Sequence, residues 1–229
     1  MRKLALADNP ICHIYNRGVE KRNTFIDKDD YLRFIGDMYQ FNDSNPTINY
    51  GRNFNSFGEF PNQRNRNKLV EILAFCLMPN HYHILMHQLV DKGITEFMRK
   101  LGTGYTNYFN IKYDRVGPLF QGKFKTVFLK KESHFLYLPH YIHLNPLDLV
   151  MPSWRNGKID NTNKAINFLE KYRWSSLPDY LGKENFPLVF SKKLVMDLAG
   201  GQESFVKNFK EYISDNLNIE SISDVIIEN

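Results

Sequence analysis

The sequence predicts an α+β fold in which a central antiparallel sheet of four strands carries two long helices, with a tyrosine-bearing helix appended. Three observations support this. Segments with strand character and segments with helical apolar spacing follow one another in the order βαββαβ. Pro79-Asn80 interrupts two adjacent strand-like runs, as the turn of a hairpin would. The 229 residues, 42% of them hydrophobic, are enough to bury a core without disulfides or a structural metal.

Taken in order, residues 10–17 form a first strand that places Ile11, His13 and Tyr15 on one face. Asp27, with Asp30 three residues on, marks a capped helix start carrying a first-turn acid. Behind it Tyr31, Phe34, Ile35, Met38 and Phe41 recur at three and four, the stripe of a helix with one buried face. Residues 69–78 read as a buried strand and 81–89 as its return from the turn. From 95 to about 113, Phe97, Met98, Leu101, Tyr105, Tyr108 and Phe109 keep helical spacing, weakened by Gly102 and Gly104. Residues 124–129 make the fourth strand. Ser133 is expected to cap the next helix and Pro146 to end it, with Pro139 kinking it one turn before Tyr141. This order is that of a ferredoxin-like sandwich with one helix added. The main domain is thus expected at 1–150, with a loop-like Asn-, Arg-, Gly- and Pro-rich insert at 42–67. Residues 151–229 form a C-terminal extension of loops and short helices packed on it.

Composition narrows the class. No run approaches the ~18 apolar residues of a membrane helix, and the basic start lacks the apolar core of a signal peptide. Cys12 and Cys76 have no zinc-ligand spacing and read as buried free thiols, so a cytosolic protein is expected. The formal charge is only +5, but it is unevenly spread. Between Arg99 and Lys131 eight bases face the single acid Asp114, while the tail from Gln202 onward is acidic. Aromatics interleave with these bases, which suits a polyanion whose bases are unpaired and can stack. The bland alternative is a solvated face over core aromatics.

Two constellations could carry chemistry. His81 and His83 project from the same face of a strand start, side by side, as two neutral imidazoles for one divalent cation would. A bare His-x-His also recurs by chance. His87, further along that face, is expected to pack or support. Tyr141 and Asn145 are an i, i+4 pair on one helical face. A phenol can attack a phosphodiester, and an amide oxygen can bind a hard metal. Equally, the ring could pack on the sheet while Asn145 caps the helix before Pro146.

Taken together, MPNHYHIL, GPLFQGKFK, YIHLNP and YRWSSLPDYLG resemble the single-tyrosine HUH transposases. The subgroup they are most similar to is that of the REP-associated tyrosine transposases, IS200-like proteins. The resemblance runs from about residue 10 to 182, and the opening IYNRG, with Asn16 and Arg17, extends it to the first strand. It implies that His81 and His83, flanking Tyr82, hold Mg²⁺ or Mn²⁺ with Asn145 as third ligand, and that Tyr141 is the nucleophile. It further implies cleavage of single-stranded DNA beside a hairpin through a 5′-phosphotyrosine, and rejoining without ATP. Asn16, Arg17, Arg115, Lys123, Lys125, Lys130 and Lys131 are then the candidate DNA contacts. A homodimer exchanging tyrosine helices and a monomer both stay open. Two competitors are a hairpin-binding protein that no longer transposes, and an unrelated metalloprotein in which Tyr141 and Asn145 play no part.

Overall fold

The computed structural model describes residues 9–46 and 66–214. Most of the 42–67 insert lies outside the described residues, as do the acidic positions Asp215, Glu220, Asp224 and Glu228 of the tail.

The four strands are β1 (Ile11–Arg17), β2 (Val70–Met78), β3 (His81–Gln88) and β4 (Lys125–Phe128), in the spatial order β2-β3-β1-β4. Every described pairing is antiparallel. The register sets Tyr15 opposite His83 and Arg17 opposite His81 on one side of β1, and Tyr15 opposite Lys125 on the other. This is the order of the expected sandwich, because the βαβ crossovers on either side of the β2–β3 hairpin leave β1 and β3 in the middle.

Helices α1 (Lys28–Gln40) and α2 (Gly93–Lys112) cover one face. Asp27 caps α1 by accepting from the amides of Asp29 and Asp30, and Asp30 reaches back to the amides of Ile26 and Asp27. Such a reciprocal box is worth about 1 kcal/mol. Phe34, Ile35 and Met38 from α1 and Phe97, Leu101, Tyr105 and Phe109 from α2 bury against Cys12, Ile14, Tyr82, Ile84 and Met86 of the sheet. The two helix glycines differ in kind. A Cβ on Gly104 would stand 2.5 Å from the Phe41 ring, whereas one on Gly102 would meet nothing within 4 Å.

The opposite face is covered by α3 (Glu132–Leu144), α4 (Thr162–Lys171), the single turn α5 (Leu177–Tyr180), α6 (Lys193–Ala199) and α7 (Gln202–Ser214). The expected cap of α3 is corrected. The helix begins at Glu132 after Lys131, with no side-chain cap, so Ser133 sits inside the first turn. Pro139 lies within the helix and is buried. The helix ends at Leu144 and passes into a 3-10 turn, Asn145–Leu149, followed by a second, Pro152–Asn156.

The C-terminal segments also close the outer edge of β2. Leu77 N donates to Trp174 O at 2.9 Å and Ser176 N to Phe75 O at 3.0 Å. Tyr172 and Tyr180 donate their hydroxyls to Leu77 O and Leu73 O, and Ser191 N donates to Ile72 O. An edge strand paired in this way no longer offers a template to other chains. Ser176 also bonds His143 Nε2 through its hydroxyl at 2.8 Å, so two of the quoted sequence segments meet as a clamp between α3 and β2. Trp174 stacks on Tyr31 with ring centroids 4.5 Å apart. No described helix is long and apolar enough to cross a membrane.

Candidate active site

The face toward α3 turns polar near the start of β3. Strand alternation sends Ile84 and Tyr82 into the apolar core and His81 and His83 the other way, beside His13 and Tyr15 of β1. His81 and His83 rings stand perpendicular with centroids 5.1 Å apart. His13 Nε2 lies 3.0 Å from His83 Nδ1, and His81 Nδ1 lies 2.6 Å from Asn80 Oδ1. Each imidazole is therefore held through its Nδ1, as metal-binding histidines are held by their outer hydrogen bonds. The sequence marks His13 only as a face residue of β1. Its contact depends on the β1–β3 register, which no local pattern in the chain states.

Helix α3 brings Tyr141 to this pair. Its ring meets His83 edge-on, centroids 6.2 Å apart, so residues 58 positions apart in sequence (141 − 83) converge. Tyr141 is 1% exposed, and Trp154 packs 5.6 Å from its other side. Tyr82, the rival tyrosine between the histidines, faces the opposite core against Phe34 and Phe120, where burial pushes its hydroxyl well above the ordinary range.

Asn145 is buried one turn beyond Tyr141, and its amide does what a helix cap does: Nδ2 donates to Tyr141 O at 3.0 Å and to Ile142 O. Its Oδ1 accepts from Arg155 Nη2 at 3.0 Å, and Arg155 Nη1 donates to Tyr141 Oη at 2.8 Å. Two neighbouring imidazoles are donors of the chemistry a divalent cation takes, while the Asn145 oxygen meets a guanidinium. Among the described residues no group of three or more His, Cys, Asp or Glu is placed to hold a metal. Arg155 escaped the sequence reading altogether. It stands ten residues past Asn145 in no recognisable spacing, with only the adjacent Trp154 to hint at burial.

The other candidates divide. Lys123, Lys125, Lys130 and Lys131 are exposed, along or beside the β4 edge. Arg17 ends β1 opposite His81, half-buried. Asn16 is buried, with Nδ2 on Gly122 O at 3.3 Å and Oδ1 accepting from Arg17 N, so it shapes the strand end from within. Arg115 lies beyond α2, donating to Asn110 Oδ1 and lying over Phe109. The expectation of stacking aromatics through this basic segment is corrected. Tyr105 and Phe109 are core, because helical spacing turns them to the sheet, and Phe120 is core where the following loop bridges to Gly18. Tyr108, Tyr113 and Phe124 are half-buried, and Phe128 at 55% is the exposed ring of β4. Lys112, on the surface, is already engaged by the chain itself, its ammonium bonded to Asp27 and Asp30. His87 lies 3.8 Å from Glu71, away from the histidine pair. Both cysteines are free and buried, and burial pushes the Cys12 thiol up to about 12, which keeps it unreactive.

Comparison with known proteins agrees with the resemblance read from the motifs. Residues 50–145 match the family described as IS200-like transposases, and His81, His83, Tyr141 and Asn145 all fall within that stretch. Among solved structures, the chain is similar to a REP-associated tyrosine transposase bound to a REP hairpin. The TM-score is 0.48 at 12% identity, over 80% of this chain and 85% of that one. The chain matches no curated protein.

Proposed function

We propose, from the premise that residues 50–145 belong to the IS200-like transposase family, that the protein is a metal-dependent endonuclease and strand transferase for single-stranded DNA, acting at hairpin or palindromic sites through a 5′-phosphotyrosine. The observation that carries this reading is the meeting of Tyr141 with His83, 6.2 Å between ring centroids, across two elements distant in sequence. A phenol packed against a histidine pair offers a nucleophile and a charge-neutralising centre to one phosphate. His81 and His83 would hold Mg²⁺ or Mn²⁺, with Asn145 the third ligand once its oxygen is released from Arg155. Such an ion, when bound, polarises a non-bridging phosphate oxygen. Tyr141 attacks phosphorus and keeps the 5′ end while a 3′-hydroxyl departs. Attack by another 3′-hydroxyl reverses the bond, so strands are joined without ATP. Arg17, Lys123 and Lys125 lie toward the His81 end of the sheet and Lys130 and Lys131 follow the far end of β4, and their positive charge would serve the DNA backbone.

A hairpin-binding protein that does not cleave is the second reading, and the burial of Tyr141 favours it. One experiment separates the two. The protein is incubated with Mn²⁺ and a labelled pool of single-stranded DNA hairpins with randomised flanks, then denatured. The cleaving enzyme yields a slower-migrating protein–DNA band that vanishes in Tyr141→Phe, while hairpin binding persists. Binding with no band in the parent establishes the second reading, and an undiminished band in Tyr141→Phe moves the nucleophile elsewhere among the 13 tyrosines.

A further inference from the structure

Arg155 belongs to none of the quoted motifs, yet its side chain meets the atom that would attack. Nη1 donates to Tyr141 Oη at 2.8 Å and Nη2 to Asn145 Oδ1 at 3.0 Å. The same guanidinium is forked onto one carboxylate, with Nε on Asp148 Oδ1 at 2.8 Å and Nη2 on Oδ2 at 2.6 Å. Trp154 donates its indole N–H to that carboxylate at 2.7 Å, and its ring lies 4.8 Å from the guanidinium carbon. Three neighbours on the turns after α3 thus aim one cation at the tyrosine oxygen. The Arg155 and Asp148 side chains are 28% and 24% exposed, so this cation sits at the boundary between the buried phenol and solvent. A fork–fork pair of this length is among the strongest fixed arrangements a side chain can adopt.

We infer that Arg155 is a catalytic residue, donating a hydrogen bond to the phenolic oxygen of Tyr141 as negative charge gathers there and passes to the phosphate during cleavage. The inference rests on the transferase reading above. In the step, the Tyr141 O–H bond breaks and its proton goes to water. The oxygen lone pair forms the O–P bond, the P–O3′ bond breaks, and the departing 3′-oxygen takes a proton from water. Nothing is oxidised or reduced. A guanidinium keeps its protons throughout, so Arg155 is no base, and its effect is electrostatic and already oriented before the reaction. An arginine suits this place because one planar fork satisfies Asp148 while the remaining arm reaches Tyr141.

The competing role is a strap that merely ties the turns to α3, and chemical rescue distinguishes the two. Single-turnover formation of the protein–DNA adduct is followed with Mn²⁺ and the hairpin pool. In Arg155→Ala the rate should fall ~100-fold while the half-saturating DNA concentration stays close to the parental value. Low millimolar guanidinium chloride, bound at Asp148, should restore part of the rate, and Arg155→Lys should recover part of it by returning a cation. A strap predicts a loss that follows the melting temperature and ignores guanidinium, and that result overturns the inference. If Arg155→Ala does not fold, Arg155→Gln keeps hydrogen bonding to Asp148 without the charge and must show the same loss; a parental rate there overturns it equally. A parent that forms no adduct at all brings down the functional reading and this inference with it. A parental adduct indifferent to Arg155 brings down the inference alone.

Discussion

Strands β1 and β3 present Cys12, Ile14, Tyr82, Ile84 and Met86 toward α1 and α2, and His13, Tyr15, His81 and His83 toward α3. The first set is sealed in an apolar core, while the second surrounds a tyrosine tied to an arginine at the edge of solvent. Neighbouring residues in one strand thus belong to two different environments, separated only by the pleat. A register slip of one residue would exchange them. The pairing of β1 with both β3 and β4 therefore protects the chemistry as much as the fold.

The division is broken most severely on the polar side. His83→Ala should lower adduct formation roughly 100- to 1000-fold, with melting temperature and hairpin affinity little changed, since affinity is spread over many phosphate contacts. Calorimetry with Mn²⁺ checks the assignment, because undiminished metal binding in a His81→Ala, His83→Ala double variant would remove these residues from the site. The apolar side should respond in the opposite way. Phe34→Ala empties a fully buried position between α1 and the sheet and should cost about 3–5 kcal/mol in urea unfolding. The folded fraction should keep the parental adduct rate per molecule.

Acid should sharpen the contrast. Burial holds His140 down to about 3 and His143 well below its ordinary range, both on α3. The unfolded chain protonates near 6.5, so between about pH 6.5 and 3 it binds protons that the folded chain refuses. The stabilising contribution is complete above that window and is lost as pH falls through it. The loss is on the order of 5 kcal/mol for His140, at about 1.4 kcal/mol per unit over the window from 6.5 to about 3. Urea midpoints measured across the window should flatten in His140→Leu; an unchanged slope would assign the acid sensitivity to other groups.

The smallest expected effects lie within α2 on the apolar side. Gly102→Ala should stabilise by about 1 kcal/mol, because helix propensity improves and nothing stands in the way. Gly104→Ala should lose that gain and more, since the new methyl meets the Phe41 ring. Thermal melts of the two variants should move in opposite directions.

What was legible in the chain was whatever short-range physics decides. Asp27 and Asp30 announce the start of α1 because capping acts over three residues, and Pro79-Asn80 announces the β2–β3 turn for a similar reason. Spacing along β3 places His81 and His83 on one face and Tyr82 on the other, and spacing along α3 places Tyr141 a turn from Asn145. Ser133 misled because a capping side chain needs the chain to leave the helix there, and Lys131 is the residue in extended conformation. The aromatics between Arg99 and Lys131 misled because interleaving with bases says nothing about which side of a helix meets the sheet. The rest belongs to the tertiary structure. His13 reaches His83 only through strand register, His143 reaches Ser176 only because the C-terminal segment returns to β2, and Arg155 reaches Tyr141 only because two 3-10 turns fold back over α3. Contacts of this kind are set by how packed elements dock, and docking depends on the summed burial of many residues, which no local spacing records.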